Sequence, residues 1–190
     1  MSELSVGTLS GLAANSYVID VASGSRLTQP GMIVAVESVL KTDTFSASVT
    51  AGSSVAVTDL SITHTLANSA NKLILMAYFG QAGNSNNYGN TGIAIADDGT
   101  LIGIGDADGT RTRVGAGGRS TASGDLNVVA MPHIHLVYSP GDTASHTYTL
   151  NAINIEGTTQ TVYINRIAST ADGAEFPRGV SAITLMEVAG

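Results

Sequence analysis

Hydrophobic and polar residues alternate along much of this chain with the period-two repeat of β-strands, and no stretch shows the repeat of an amphipathic helix. In residues 60–66, leucine and isoleucine alternate with serine and threonine, which predicts a strand with one buried face and one solvent-exposed face. Residues 73–79 and 180–188 are apolar on both faces. Such strands are buried on both sides, either inside a β-sandwich or in a sheet that another subunit covers.

These two stretches supply the residues that we predict to form the core or a subunit interface. They are Leu73, Leu75, Ile183, Leu185 and Met186. Because residues 73–79 resemble a central strand and residues 180–188 close the fold, we expect the two to be central or interface strands.

Turn-forming Gly, Pro, Asn and Asp residues separate the remaining predicted strands at the spacing of a sandwich. The predicted strands are 17–21, 32–39, 42–49 (a polar edge strand), 60–66, 73–79, 92–96, 101–105, 111–115, 126–138, 146–155, 160–167 and 180–188. Small polar residues predict loops at 80–89 and 115–124. The sequence thus predicts an all-β fold, with an antiparallel β-sandwich head over residues 41–190.

Residues 1–40 differ from the rest because glycines break them into short pieces. Their two apolar strands are too small to bury a core of their own. We therefore predict an extended N-terminal docking arm that packs on neighbouring copies or on a larger assembly. The contact residues expected in this arm are Tyr17, Ile19, Val21, Met32 and Val34.

Composition narrows the classes of partner. The chain has 190 residues, of which 43% are hydrophobic and only 12% charged, so its polar faces are made mainly of Ser, Thr and Asn. Such faces suit protein packed on protein. A net charge of −7 with 8 basic residues argues against nucleic-acid binding, because phosphate contacts need clustered Lys and Arg. We expect no membrane segment, because no apolar run reaches about 18 residues. We also expect no signal peptide, because the N-terminus has no charged stretch followed by an apolar one.

A pair of histidines in the predicted strand 126–138 is a candidate metal site. His133 and His135 share one face of a strand, and two imidazoles at this spacing can bind a transition metal. One chain supplies too few ligands, whereas three chains around a threefold axis would supply six. The alternatives are two half-exposed histidines or a pH-sensitive subunit contact.

Asp106 and Asp108 form the second candidate metal site, in an acidic cluster that also contains Asp97, Asp98 and Gly99. They precede Gly109 in an Asp-x-Asp-Gly pattern that can bind Ca²⁺ through carboxylate oxygens. The further ligands of a calcium loop are missing, and Arg111 and Arg113 follow instead. The alternative is that Asp-Gly pairs form tight hairpin turns and the carboxylates pair with these arginines.

We expect no catalytic activity and no cofactor. The sequence has no nucleophile elbow, phosphate loop or dinucleotide fingerprint, and it has no cysteine.

Several segments resemble structural proteins of marine and cyanobacterial tailed phages, of the tail-fibre-like and capsid-decoration kinds. These segments are 11–15, 19–24, 30–36, 102–106, 163–166 and 181–187. The resemblance implies a non-enzymatic virion protein with a jelly-roll-like head, made in the host cytoplasm and assembled as a surface-exposed homotrimer. It does not extend to His133 and His135.

The resemblance also implies the partners. The arm would attach the trimer to other virion proteins, and loops 80–90 and 115–124 would meet a host surface glycan or receptor. A capsid decoration, a head fibre and a tail-fibre component all fit. The alternative from another class is a stand-alone lectin-like or Ca²⁺-dependent binding module.

Overall fold

The computed structural model describes residues 29–86, 90–118, 129–169, 173–174 and 177–190. Within these ranges the regular structure is β-strand and no helix is present, which confirms the all-β prediction. The strands, in chain order, are β1 (Ile33–Lys41), β2 (Phe45–Val49), β3 (Ser54–Thr65), β4 (Lys72–Tyr78), β5 (Ala82–Asn84), β6 (Thr91–Asp97), β7 (Thr100–Ile102), β8 (Ala116–Gly118), β9 (His133–Tyr138), β10 (Ser145–Asn154), β11 (Gln160–Ile164) and β12 (Ser181–Val188).

The strands form three sheets in which every pairing is antiparallel. The four-stranded sheet has the order β1-β12-β4-β9, and the five-stranded sheet has the order β3-β10-β6-β7 with β8 also paired to β6. The three-stranded sheet has the order β2-β11-β5, so β2 is the edge strand that its polar sequence predicted. The part of the chain described here contains no helix that could cross a membrane.

One apolar core lies between the four-stranded and five-stranded sheets and also includes residues of the three-stranded sheet, such as Val162 and Ile164. Leu73, Leu75, Ile183 and Leu185 have no exposed surface and belong to this core. Leu150 of β10 contributes from the opposite sheet. The predicted core positions on β4 and β12 are therefore confirmed, and β4 is a central strand between β12 and β9. Met186 is different, because it is only partly buried on the opposite face of β12.

Strand β3 shows how the alternating sequence produces a one-sided strand. Leu60 and Ile62 are buried in the core, while Ser61 and Thr63 are exposed, as predicted. The strand is interrupted at Asp59, which has a φ of 61°, and the pairing with β10 shifts register there. The resulting β-bulge bends the strand.

The domain boundary predicted near residue 40 is wrong. Strand β1 is paired with β12 from Ile33 to Lys41, so this stretch is an edge strand of the four-stranded sheet. Val34 lies in β1, and the Met32 carbonyl accepts a hydrogen bond from the Ala189 amide at 2.8 Å. Both residues thus belong to the sandwich instead of to a separate arm, because β12 provides the backbone partners that an isolated strand lacks.

The remaining arm residues, Tyr17, Ile19 and Val21, lie outside the described residues.

The strand predicted over residues 126–138 begins only at His133 within the described residues. Short strands of small residues were also missed. Residues 82–84 were predicted as loop but form β5, and residues 116–118 form β8. Their Ala, Gly and Asn side chains carry no alternation, so only backbone pairing with longer strands makes them β-structure. Conversely, residues 111–115 form no strand: their backbone makes isolated hydrogen bonds, such as that from the Gly115 amide to the Ile93 carbonyl.

Candidate functional site

The outer face of the four-stranded sheet, which points away from the core, is the most distinctive surface of the described chain. Strand register arranges its side chains in three rows that run from β1 through β12 and β4 to β9. The rows are Val36, Met186, Ile74 and Val137; Ser38, Thr184, Met76 and His135; and Leu40, Ala182, Tyr78 and His133. We call these twelve residues the outer face.

Large apolar side chains on the outer face are exposed to solvent. Val36 and Leu40 are each 61% exposed, Val137 is 63% exposed and Tyr78 is 42% exposed. The side chains of the two central strands are shielded in part by these neighbours. Nothing within the described chain covers the face, although the sequence predicted burial on both sides of β4 and β12. An apolar sheet face of this kind is the usual mark of a protein–protein contact.

The twelve residues of the outer face include no acidic side chain and no basic one other than the two histidines, while the exposed Lys72 follows on the same face of β4 beside Val188. The acidic residues of the same strands, Glu37 and Glu187, point inward. The chain as a whole has 15 acidic and 8 basic residues, so its negative charge is kept away from this surface. Copies of the face can therefore approach one another without repulsion between carboxylates.

His133 and His135 lie at the β9 edge of the outer face. Both are exposed, and in register they stand beside Tyr78 and Met76. A shallow apolar groove of about 340 Å³ runs along them and continues to Ala182 and Thr184. The groove-lining residues include no third histidine and no carboxylate, so one chain offers two metal ligands, fewer than a stable site needs.

A cluster of His64, Glu37 and Glu187 connects the inner side of the four-stranded sheet to β3. His64 lies between two carboxylates, with Nδ1 2.7 Å from Glu37 Oε1 and Nε2 3.0 Å from Glu187 Oε2. Glu187 Oε1 accepts hydrogen bonds from the Ala67 amide at 2.8 Å and from Asn71 Nδ2 at 2.5 Å. Burial alone would raise the pKa of Glu187, but the bonds from Asn71, Ala67 and His64 outweigh it and hold that pKa below 4.5.

A second histidine–carboxylate cluster lies at the hairpin between β6 and β7. Asp98 and Gly99 form its two-residue turn with φ values of 45° and 85°, so the predicted Asp-Gly hairpin is confirmed here. His146 Nδ1 lies 2.8 Å from Asp97 Oδ1, and its Nε2 lies 3.1 Å from Asp142 Oδ1. Among the described residues, Asp97, Asp98 and His146 form the one group of three metal-binding side chains whose ligand atoms lie within 4.8 Å of one another.

The electrostatics of this second cluster favour a protonated histidine over a bound metal. Hydrogen bonds to Asp142 and Asp97 raise the pKa of His146 above 6.5. The Tyr138 hydroxyl donates a hydrogen bond to Asp97 Oδ2 at 2.7 Å. Burial and this carboxylate together raise the pKa of Tyr138 to about 12. Both ring nitrogens of His146 contact carboxylate oxygens, an arrangement that favours the protonated ring over a ring that binds a metal.

The Asp106 and Asp108 carboxylates are not brought into any metal-binding group. Both are exposed, and Asp108 pairs with Arg111 three residues later. Arg113 donates to the Gly105 carbonyl at 2.5 Å. This is the pairing that the sequence offered as the alternative to calcium for Asp108.

No protein-family model and no curated protein sequence matches this chain.

Two features of the site were missed by sequence reasoning. His64 and His146 were not selected, because each contacts a carboxylate from a distant part of the chain: Glu187 lies 123 residues after His64, and Asp97 lies 49 residues before His146. Asp97 and Asp98 were noticed only as part of an acidic cluster with Asp106. Their true partner on β10 becomes a neighbour only when β6 and β10 pair.

Proposed function

We propose that this chain is a non-enzymatic structural protein of a tailed-phage virion, working as a surface-exposed homotrimer. The observation that carries the proposal is the outer face, because an exposed, apolar and nearly uncharged sheet face is built to pack against protein. The low overall charge and the Ser/Thr/Asn-rich polar positions suit the same role.

The head of this protein would be a jelly-roll-like sandwich. The antiparallel sheets around a single core support this finer assignment. Attachment to other virion proteins is assigned to the residues that precede β1, since β1 itself is occupied by pairing with β12. The protein would be made in the host cytoplasm and reside in the virion, on the capsid, the neck or the tail.

The contacts of His64 and His146 support a structural role over a hydrolytic one. His64 and His146 each have both ring nitrogens beside carboxylate oxygens. A general base needs one unprotonated nitrogen within reach of the substrate. Both clusters instead tie strands together: the His64 cluster joins β3 to β1 and β12, and the His146 cluster joins β10 to β6.

Light scattering after size-exclusion chromatography tests the proposal. We expect a trimer whose mass does not change when a chelator is added. Deletion of residues 1–28 should leave a soluble trimer that no longer attaches to particles that lack this protein. A full-length protein that is monomeric, or one that needs Ca²⁺ to assemble, would contradict the proposal and favour a stand-alone binding module.

A further inference from the structure

We infer that the His64 and His146 clusters form one pH-sensitive latch, which holds the four-stranded and five-stranded sheets together at one end of the sandwich and releases that end in acid. The inference concerns a conformational change within a single chain, so it stands apart from the proposed virion role. Three observations carry it. The clusters are neighbours, they connect the two sheets on both sides, and they hold the segment through which the chain enters β1.

The two clusters are neighbours because their histidines are partners in adjacent strands. His64 of β3 is paired with His146 of β10, so their Cα atoms lie about 4.5–5.5 Å apart. The side chains of directly opposed residues point to the same face of a sheet. This face is the inner one, because His64 contacts Glu187 of the four-stranded sheet. A charge on one ring therefore acts directly on the other.

The four-stranded sheet supplies the opposite side of the latch. Glu187 of β12 and Tyr138 of β9 lie in one row on its inner face, on either side of the buried Leu73 of β4. Glu187 Oε2 lies 3.0 Å from His64 Nε2. The Tyr138 hydroxyl donates to Asp97 Oδ2 of the five-stranded sheet at 2.7 Å. The latch thus connects the two sheets at the β12 side and again at the β9 side.

Among the ion pairs of the described residues, the counter-charges of the two histidines are all carboxylates. They come from different elements at this end: Glu37 of β1, Glu187 of β12, Asp97 of β6, Asp98 of the β6–β7 turn and Asp142 just before β10. Lys72 of β4 is exposed on the outer side of its sheet. Tyr138 and Tyr148 also face the latch, and burial raises the pKa of both phenols, which therefore stay uncharged. Loss of the carboxylate charges leaves the histidines without a counter-charge.

Acid removes the carboxylate charges before it could remove those of the histidines. Burial opposes the charge of Glu187, but hydrogen bonds from Asn71, Ala67 and His64 hold its pKa below 4.5. Its contribution is therefore present above pH 4.5 and is lost as the pH falls further. Hydrogen bonds to Asp142 and Asp97 raise the pKa of His146 above 6.5, so that ring stays charged throughout. Like charges on directly opposed residues then destabilise this end of the β3–β10 pair.

The same end of the sandwich holds the segment through which the chain enters β1. Asn71, which donates to Glu187, accepts a hydrogen bond from the Gly190 amide at 3.0 Å. The preceding Ala189 amide donates to the Met32 carbonyl at 2.8 Å. Release of Glu187 therefore frees Asn71, and with it the backbone contacts that fix the entry to β1. The opposite end of the sandwich has no part in this network and should stay closed.

The accessibility of single cysteines tests the latch, because the native chain has no cysteine. Ala189→Cys places a buried reporter at the latch end, and Ala152→Cys places a fully buried one near the far end of β10. Ala77→Cys in β4 is a second core control. A pyridyl disulfide reagent that reacts with thiols in acid labels each folded variant at about pH 6 and at about pH 4. The ratio of rates at the two positions separates local release from global unfolding.

We expect the Ala189→Cys thiol to react at least about tenfold faster at the lower pH, relative to the core controls. Added Glu187→Gln should give the fast rate already at the higher pH, because the amide carries no charge. Asp43→Asn is the matched control, since it removes a carboxylate beside Lys41 at the other end of β1. Equal acceleration at all positions would mean global unfolding and would overturn the latch, as would no acceleration at any of them.

Asp142→Asn tests whether the two clusters act as one unit. Asp142 is exposed and contacts only the His146 side of the latch, yet the loss of its charge should shift the release of the Ala189→Cys thiol to higher pH. The physical reason is that a less compensated His146 repels its neighbour His64 more strongly. An unchanged release pH in this folded variant would show that the clusters are independent and would overturn the single latch.

Discussion

Aspartate introduced at Leu185 or at Met186 should have opposite consequences, because these neighbours point to opposite faces of β12. Leu185 has no exposed surface and lies between Glu37 and Leu75 in the register of the four-stranded sheet. Met186 lies between Val36 and Ile74 on the outer face and is only partly buried. One position tests the fold and the other tests the assembly.

The two substitutions should differ by several kcal/mol in the free energy of unfolding that they cost. Leu185→Asp loses about 2–3 kcal/mol of leucine burial. It also places a carboxylate in the core beside Glu37, where an unpaired polar group costs about 2–7 kcal/mol even before its charge is considered. The total approaches the whole stability of a domain, about 5–15 kcal/mol, so this variant should not fold. Met186→Asp leaves the core intact and should cost the isolated chain no more than about 1 kcal/mol.

Circular dichroism, urea denaturation and light scattering of the two variants provide the assay. We expect Leu185→Asp to be insoluble or unfolded, and Met186→Asp to be folded but monomeric. Met186→Gln is the matched control, because it keeps the length of the side chain without the charge and should weaken the trimer less. A folded Leu185→Asp protein would refute the orientation of β12. A Met186→Asp protein that stays trimeric at micromolar concentration would refute the outer face as the interface.

The remaining predictions concern the ion-pair clusters and the histidine pair. Because the folded state holds the pKa of Glu187 below 4.5, this carboxylate stabilises the protein above that pH and the contribution is lost as the pH falls further. Glu187→Gln should therefore flatten the acid limb of a plot of unfolding free energy against pH, and an unchanged limb would contradict this. The pKa of His146 is raised above 6.5, chiefly by Asp142, so its contribution is complete below pH 6.5 and is lost as the pH rises through the raised pKa. An NMR titration should give His146 a midpoint above 6.5 that falls in Asp142→Asn, and a wild-type midpoint at or below 6.5 would show that the pairs do not form. Metal analysis of the purified protein should find no stoichiometric nickel, zinc or iron, because the groove beside His133 and His135 offers no third metal ligand; a bound metal that is lost in His133→Ala/His135→Ala would contradict this.

Much of the strand content could be read from the sequence because burial imposes a period-two pattern on long strands. Residues 60–66 and 73–79 were assigned correctly for this reason, and the two-sided apolarity of 180–188 pointed to β12. The pattern failed for β5 and β8, whose small side chains have no alternation to read. It also failed to place β1 in the sandwich, because a strand's own residues do not reveal which partner supplies its hydrogen bonds.

The sequence by itself determined the all-β class, the core positions of β4 and β12 and the low charge of the chain, since these depend on residue types and local periodicity. Only the tertiary structure decided which sheet face is covered, because the apolar residues on both sides of β12 look alike until the second sheet packs on one of them. It also decided that His64 contacts Glu187 and that His146 contacts Asp97, because strand pairing brings these residues together across long stretches of chain. The outer face depends on both the sequence and the tertiary structure. Its apolar residues can be read from the alternation within each strand, whereas its exposure follows from the packing of the second sheet on the opposite side.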